Sequence, residues 1–233
     1  TGQYNIAIGS GALSAEDTGS RSIAIGHEAL NVQNNDSTNY NVAIGFQSGV
    51  AVTTATHNTL IGGLAGDALT TGASNVAVGY GALTTEDVGQ HNVAIGRDAL
   101  SAQNTASAAN IYNTAVGSSA GVSVTTGTRN TIIGGLAGDA TTTGNYNSFV
   151  GYSSGGANTT ASYNTALGDN SLLVNTTGAS NVAVGQAALG SNTTASNNTA
   201  VGTSALNANT TGTPNTAVGY YALDSNTTGA NNT

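Results

Sequence analysis

The sequence predicts an all-β protein, a parallel β-roll or β-solenoid of about thirteen 17-residue rungs. Three observations carry that expectation. A glycine closes each copy of a segment built around Asn-x-Ala-(Val/Ile)-Gly, at Gly9, Gly26, Gly45, Gly62, Gly79, Gly96, Gly117, Gly134, Gly151, Gly168, Gly185, Gly202 and Gly219. Ten of the twelve intervals are 17 residues, and the other two are 19 and 21. An aliphatic residue precedes every one of these glycines, and this fixed return of an apolar side chain excludes the disorder that a chain rich in Gly, Thr and Asn otherwise suggests.

Each rung opens on an Asn column. It contains Asn41, Asn58, Asn75, Asn92, Asn113, Asn130, Asn147, Asn164, Asn181, Asn198 and Asn215, with Asn5 and Asn232 toward the ends and Ser22 the one exception. Amides stacked at the spacing of adjacent strands hydrogen-bond up and down a ladder. A turn role would tolerate Asp or Gly here as well, so the ladder is the better account. Three residues on stands the aliphatic column, from Ile8 and Ile25 to Val201 and Val218, mostly β-branched as a pleated strand prefers. Period-2 alternation puts Asn, Ala and Gly on one strand face and the aliphatic residues on the other. Both faces read as enclosed, one small and closely approached, the other apolar.

A second short strand is expected around Ala12-Leu13, Ala82-Leu83 and Ala188-Leu189. Its second position is Leu in eight rungs and Gly in five. Where the Ala of the first segment becomes large, this position is Gly: Leu60 with Gly66, Ile132 with Gly138, Phe149 with Gly155. Two columns that trade bulk share one interior. Gly49 and Gly121 keep Ala43 and Ala115, and bulk in the following rung fills their gap.

The rung closes on Thr-Thr-Gly, as in Thr70-Thr71-Gly72, which reads as the return turn. The two stretched intervals insert residues near 31–40 and 101–112, and insertions in a solenoid map to loops on one flank. These loops are candidate contact surfaces. Residues 41–72 closely match 113–144, a larger internal duplication. The whole of 1–233 reads as one repeat domain, a segment of a longer fibre.

Composition narrows the function. Only 6% of residues are charged, Lys is absent, and the net charge of -8 argues against nucleic acid and anionic membranes as partners. No apolar run approaches membrane-spanning length, so no membrane insertion is expected of this segment. There is no cysteine, which removes disulfides and thiolate metal sites. With about two large aliphatic side chains per rung, a thin isolated roll is marginal, and an enclosed second strand face implies packing against identical copies. A homotrimeric rod is the expected assembly.

Catalysis has little to work with, and no enzyme, cofactor or metal is expected. His27, His57 and His91 sit in different rungs at no shared ligand spacing. Glu16-Asp17 and Glu86-Asp87 read as solvated turn acids. Asn158, Asn175, Asn192, Asn209 and Asn226 begin Asn-Thr-Thr, formally a glycosylation pattern but equally turn chemistry. The column before Asn is more suggestive. It carries Tyr4, Tyr40, Tyr112, Tyr146 and Tyr163, with Arg21, His57, His91 and Arg129 in other rungs. Aromatics and Arg are the usual contact residues of recognition surfaces. We therefore take Tyr4, Tyr40, Tyr112, Tyr146, Tyr163 and Arg129 as candidate surface contacts.

The segments Ser22-Ile23-Ala24-Ile25-Gly26, Asn92-Val93-Ala94-Ile95-Gly96 and Asn181-Val182-Ala183-Val184-Gly185 resemble the head repeats of trimeric autotransporter adhesins. The longer pattern around Asn198 to Gly219 is similar to fibre repeats of phage and bacterial proteins. The resemblance implies a trimeric left-handed β-roll, located on a virion tail fibre or a bacterial surface, that attaches to a host-surface glycan or protein. The expected function is thus a structural and adhesive fibre segment. A purely mechanical extracellular filament and an ice-binding solenoid built on Thr-Thr ladders are the alternatives.

Overall fold

The computed structural model describes residues 2–107 and 109–233. These form a parallel β-solenoid with thirteen three-residue strands and no helix. The chain divides after Asn113 into two compact units. The first carries β1 (Ile6–Ile8), β2 (Ile23–Ile25), β3 (Val42–Ile44), β4 (Thr59–Ile61), β5 (Val76–Val78) and β6 (Val93–Ile95). The second carries β7 (Thr114–Val116), β8 (Thr131–Ile133), β9 (Ser148–Val150), β10 (Thr165–Leu167), β11 (Val182–Val184), β12 (Thr199–Val201) and β13 (Thr216–Val218). Within each unit every strand pairs in parallel with the next, position for position, so that Ala24 meets Ala43 and Ala183 meets Ala200. One rung of sequence is therefore one turn of the coil.

The strands settle which face is inside. The central residue of each strand from β2 to β6 and from β7 to β12 is wholly buried, whether Ala24, Leu60, Ile132 or Phe149. The aliphatic residues on either side of it point outward, and Ile95 and Leu167 keep 37% and 46% of their surface exposed. The interior thus belongs to the small Asn-Ala-Gly side. The apolar face, expected to be enclosed, lies open on a single chain. The coil is filled instead from across its width, by Leu30, Leu83, Leu100, Leu172, Leu189 and Leu206, all fully buried.

Those leucines correct a second expectation. Residues 12–13 and their equivalents are turns, not a strand, and the Leu column has left-handed backbone, with φ of 48° at Leu30 and 55° at Leu83. An L-residue there gives up about 1–2 kcal/mol. Burying the side chain returns about 1.5–3 kcal/mol. The backbone remains tied to the next rung through Leu30 N–H to Ser48 O (3.1 Å) and Leu83 N–H to Ala99 O (3.0 Å). Local preference misses this corner because the compensation comes from the core.

The exchange of bulk between columns holds. A Cβ added at Gly66 would lie 2.8 Å from Leu60 Cδ2, and one at Gly155 would lie 2.7 Å from Phe149 Cδ1. At Gly49 it would meet Leu60 Cδ1 of the following rung at 2.7 Å, so neighbouring bulk does fill that position. The glycine that ends each strand is compulsory for another reason. At Gly62 φ is +135°, and a Cβ would stand 2.5 Å from the carbonyl oxygen of Gly79. Successive backbones touch there.

Candidate contact surface and the ladders behind it

The predicted Asn ladder, Asn41 to Asn215, is buried throughout. Its hydrogen bonds differ from stacked amides. Each Oδ1 chiefly accepts the backbone N–H of the next Asn, as Asn58 does from Asn75 (2.8 Å) and Asn181 from Asn198 (3.0 Å). In most rungs Nδ2 donates to the carbonyl of its own return turn, as Asn58 to Gly72 and Asn181 to Ala195, both 2.9 Å, whereas Asn198 Nδ2 is buried without a partner. Direct amide contacts supplement this, for example Asn92 Nδ2 to Asn75 Oδ1 at 3.1 Å. The position needs one acceptor and one donor at a buried site. Asp lacks the donor and Gly lacks both.

A second ladder went unrecognised in the sequence. Asn158, Asn175, Asn192 and Asn209 are also fully buried, and here the amides do bond one another. Asn175 Nδ2 donates to Asn158 Oδ1 (3.1 Å), Asn192 to Asn175 (2.8 Å) and Asn226 to Asn209 (3.0 Å). The other N–H of each goes to the return turn, so Ala195 O accepts from both Asn181 (2.9 Å) and Asn192 (3.0 Å). An amide with both protons donated inside the coil is no acceptor for a glycan in the folded chain. The signal was present: Asn-Thr-Thr recurs every 17 residues, and a turn alone does not require Asn each time.

The same interior column explains Ser22 and corrects the reading of the acids. Gln33 stands in for the missing amide, donating to Ser22 Oγ (2.9 Å) and accepting from Asn41 Nδ2 (2.7 Å). Its Nε2 also reaches Glu16 Oε2 at 2.9 Å. In the duplicate, Glu86 is fully buried, not a solvated turn acid. Its carboxylate accepts from Gly89 N–H (2.8 Å), Gln103 Nε2 (3.0 Å) and Thr105 Oγ1 (3.1 Å). Each 17-residue register is thus re-established across an insertion by a Glu-Gln pair. The tips of both insertions are exposed at Asp36, Ser37, Ala106 and Ser107, and Ala108 lies outside the described residues.

The column before Asn runs over the surface in left-handed backbone, from Tyr4 (φ 61°) to Tyr163 (φ 63°). All five tyrosines are exposed. In the first unit Arg21 lies 5.6 Å from the ring centres of both Tyr4 and Tyr40 and donates to Tyr40 Oη at 2.7 Å. Tyr40 then packs on His57 at 5.3 Å, and His91 stacks on Tyr112 at 5.2 Å. In the second unit Arg129 sits 5.3 Å over Tyr146 and donates to its hydroxyl, while Tyr146 and Tyr163 stack at 5.1 Å. Neighbouring rungs largely cover one another's ring faces. What the column offers outward is ring edges, hydroxyls and nitrogen donors. Cation–π contacts of this kind contribute about 0.5–1 kcal/mol each at exposed sites.

A second aromatic column was not singled out. Phe46, Tyr80 and Tyr152 follow the strand glycines and are exposed, with Phe46 stacked on His27 at 5.6 Å. The three histidines therefore occupy separate aromatic stacks. Among the described residues no group of three His, Cys, Asp or Glu side chains is placed to hold a metal ion. Desolvation against the coil raises the Asp139 carboxyl above its ordinary value. No helix among the described residues is long and apolar enough to cross a membrane. No protein-family model matches this sequence, and no curated protein matches it either.

Proposed function

We propose that this chain is a non-catalytic, structural and adhesive fibre segment that self-associates as a homotrimer and presents its aromatic column to a host surface. The observation that carries the reading is the open strand face. Within each unit two outward columns of aliphatic, threonine and, at Ser148, serine side chains run over successive rungs without a charge, as Ile23, Ile25, Val42 and Ile44 do. Continuous apolar surface of that kind marks an interface. An extracellular setting on a virion tail fibre or bacterial surface follows from the resemblance to adhesin-head and fibre repeats. Neither nucleic acid nor membrane is a partner in this reading.

Two measurements test it. Sedimentation equilibrium at micromolar concentration is expected to give three times 22.6 kDa. Ile25→Asp with Ile44→Asp is expected to give a folded monomer, and a monomeric parent refutes the trimer. Labelled segment is expected to adsorb to host cells, and adsorption unchanged in Tyr40→Ala/Tyr112→Ala counts against the contact column. One observation favours an ice-binding reading instead: Thr126, Thr143, Thr160, Thr177, Thr194, Thr211 and Thr228 form an exposed, unbroken column in the second unit. Thermal hysteresis in a freezing assay would decide for it.

A further inference from the structure

We infer that the aromatic column of the first unit is a binding track for a linear acidic polysaccharide with one anionic group on every second sugar. This rests on the attachment reading above and names its ligand class. Although the chain is acidic overall, one of its three arginines and two of its three histidines stand in this column of the first unit, and no Asp or Glu does. In the first unit the nitrogen donors fall on alternate rungs, at Arg21, His57 and His91, separated by Tyr40 and Ser74. The stacking contacts of Arg21 with Tyr40 and of Tyr40 with His57 show these to be consecutive turns of the coil. At about 4.8 Å per rung the donors recur about every 10 Å. One rung matches the length of one sugar in an extended pyranose chain, so the donors meet alternate sugars.

The chemistry of the edges fits the same ligand. Tyr40 has Arg21 on one neighbouring rung and His57 on the other, which limits the face-on stacking that neutral sugars use. Arg21 Nη1 is engaged by Tyr40 Oη and His57 Nδ1 lies 2.9 Å from Thr56 Oγ1, which leaves the other guanidinium N–H groups and the second imidazole nitrogen for a ligand, and such donors bind carboxylate or sulfate. Single-stranded nucleic acid is the other extended polyanion. It carries about one charge per 3.4 Å along each strand, too dense for donors this sparse on a chain of net charge -8.

The test is titration of the intact segment with a fluorescent decasaccharide of alternating uronic acid and N-acetylhexosamine. The comparison probes are a neutral N-acetylglucosamine oligomer and oligo-dT. The alternating acid is expected to bind, with the neutral oligomer and oligo-dT at least tenfold weaker. Arg21→Gln/His57→Gln is expected to lose about tenfold or more of the affinity, as removal of a charge-assisted contact does. Arg97→Gln, outside the column and paired with Asp98 at 3.1 Å, is expected to leave it unchanged. Equal binding of the neutral oligomer, tighter binding of oligo-dT, or an unaffected Arg21/His57 variant with native circular dichroism overturns the inference. Adsorption to host cells without binding of the acidic probe overturns this inference alone. Binding of the probe without adsorption overturns the attachment reading alone.

Discussion

Consider a double substitution at the carbonyl of Ala195. It accepts one amide proton from each ladder, from Asn181 Nδ2 at 2.9 Å and Asn192 Nδ2 at 3.0 Å. Asn181→Leu removes the acceptor of the Asn198 N–H, costing about 1–3 kcal/mol, while the carbonyl keeps Asn192. Asn192→Leu takes a donor from Asn175 Oδ1 (2.8 Å), a loss of about 1–2 kcal/mol, while the carbonyl keeps Asn181. Only the double variant leaves the carbonyl buried with neither amide. The double variant is therefore expected to exceed the sum of the singles by about 1 kcal/mol or more. Urea denaturation of the four proteins gives the cycle, and hydrogen exchange at the Asn198 amide reports the first loss locally. Additivity within about 0.5 kcal/mol would refute the idea that the two ladders share this acceptor.

Three further outcomes are expected. Thr141 Oγ1 is buried without a hydrogen-bond partner at a position that is Val52 or Val124 in other rungs, so Thr141→Val should stabilise by about 1 kcal/mol and raise the melting temperature. Gly62→Ala places its Cβ 2.5 Å from the Gly79 carbonyl at a φ of +135°, and should lose about 3 kcal/mol or more in a urea titration. Asp139 is held above its ordinary value by desolvation, so its protonated form is favoured on folding. Its contribution is complete below the ordinary carboxylate value and lost as pH rises through the raised one. Asp139→Asn should therefore shift the urea midpoint upward at neutral pH and hardly at all in acid; a wild-type-like pH profile would contradict this.

Much of the fold could be read from the sequence because a repeat states each demand many times. The Asn, central and glycine columns, and the trade between Leu60 and Gly66, are demands of contact between successive rungs, and a repeat displays those directly. Part of what escaped was set within a rung. The path that returns Leu30 and Leu83 toward the strand uses left-handed residues, which local preference assigns to Gly or Asn. The inward face was ambiguous because alternation separates two faces without saying which is concave. Glu86 was misread since a carboxylate near a turn is ordinarily solvated, and only the neighbouring Gln103 and Thr105 make a buried one tolerable. The contact column was legible as residues, but its stacking, which covers the ring faces, was not.

The convergence of two amides on one turn carbonyl also bears on how such a chain changes over generations. The two Asn ladders draw their hydrogen bonds from their own rung and from the rungs before and after it, and from nothing farther away. Excision or duplication of whole 17-residue units inside 114–233 rejoins like with like: an Oδ1 still finds a backbone N–H, and a strand glycine still meets a carbonyl. A change of length by a single residue in the strand segment instead sends every later side chain to the opposite face. The sequence can thus grow or shrink by recombination in whole steps while resisting single-codon drift in length. The two places where length has drifted are those where Glu16 with Gln33, and Glu86 with Gln103, rebuild the register from side chains.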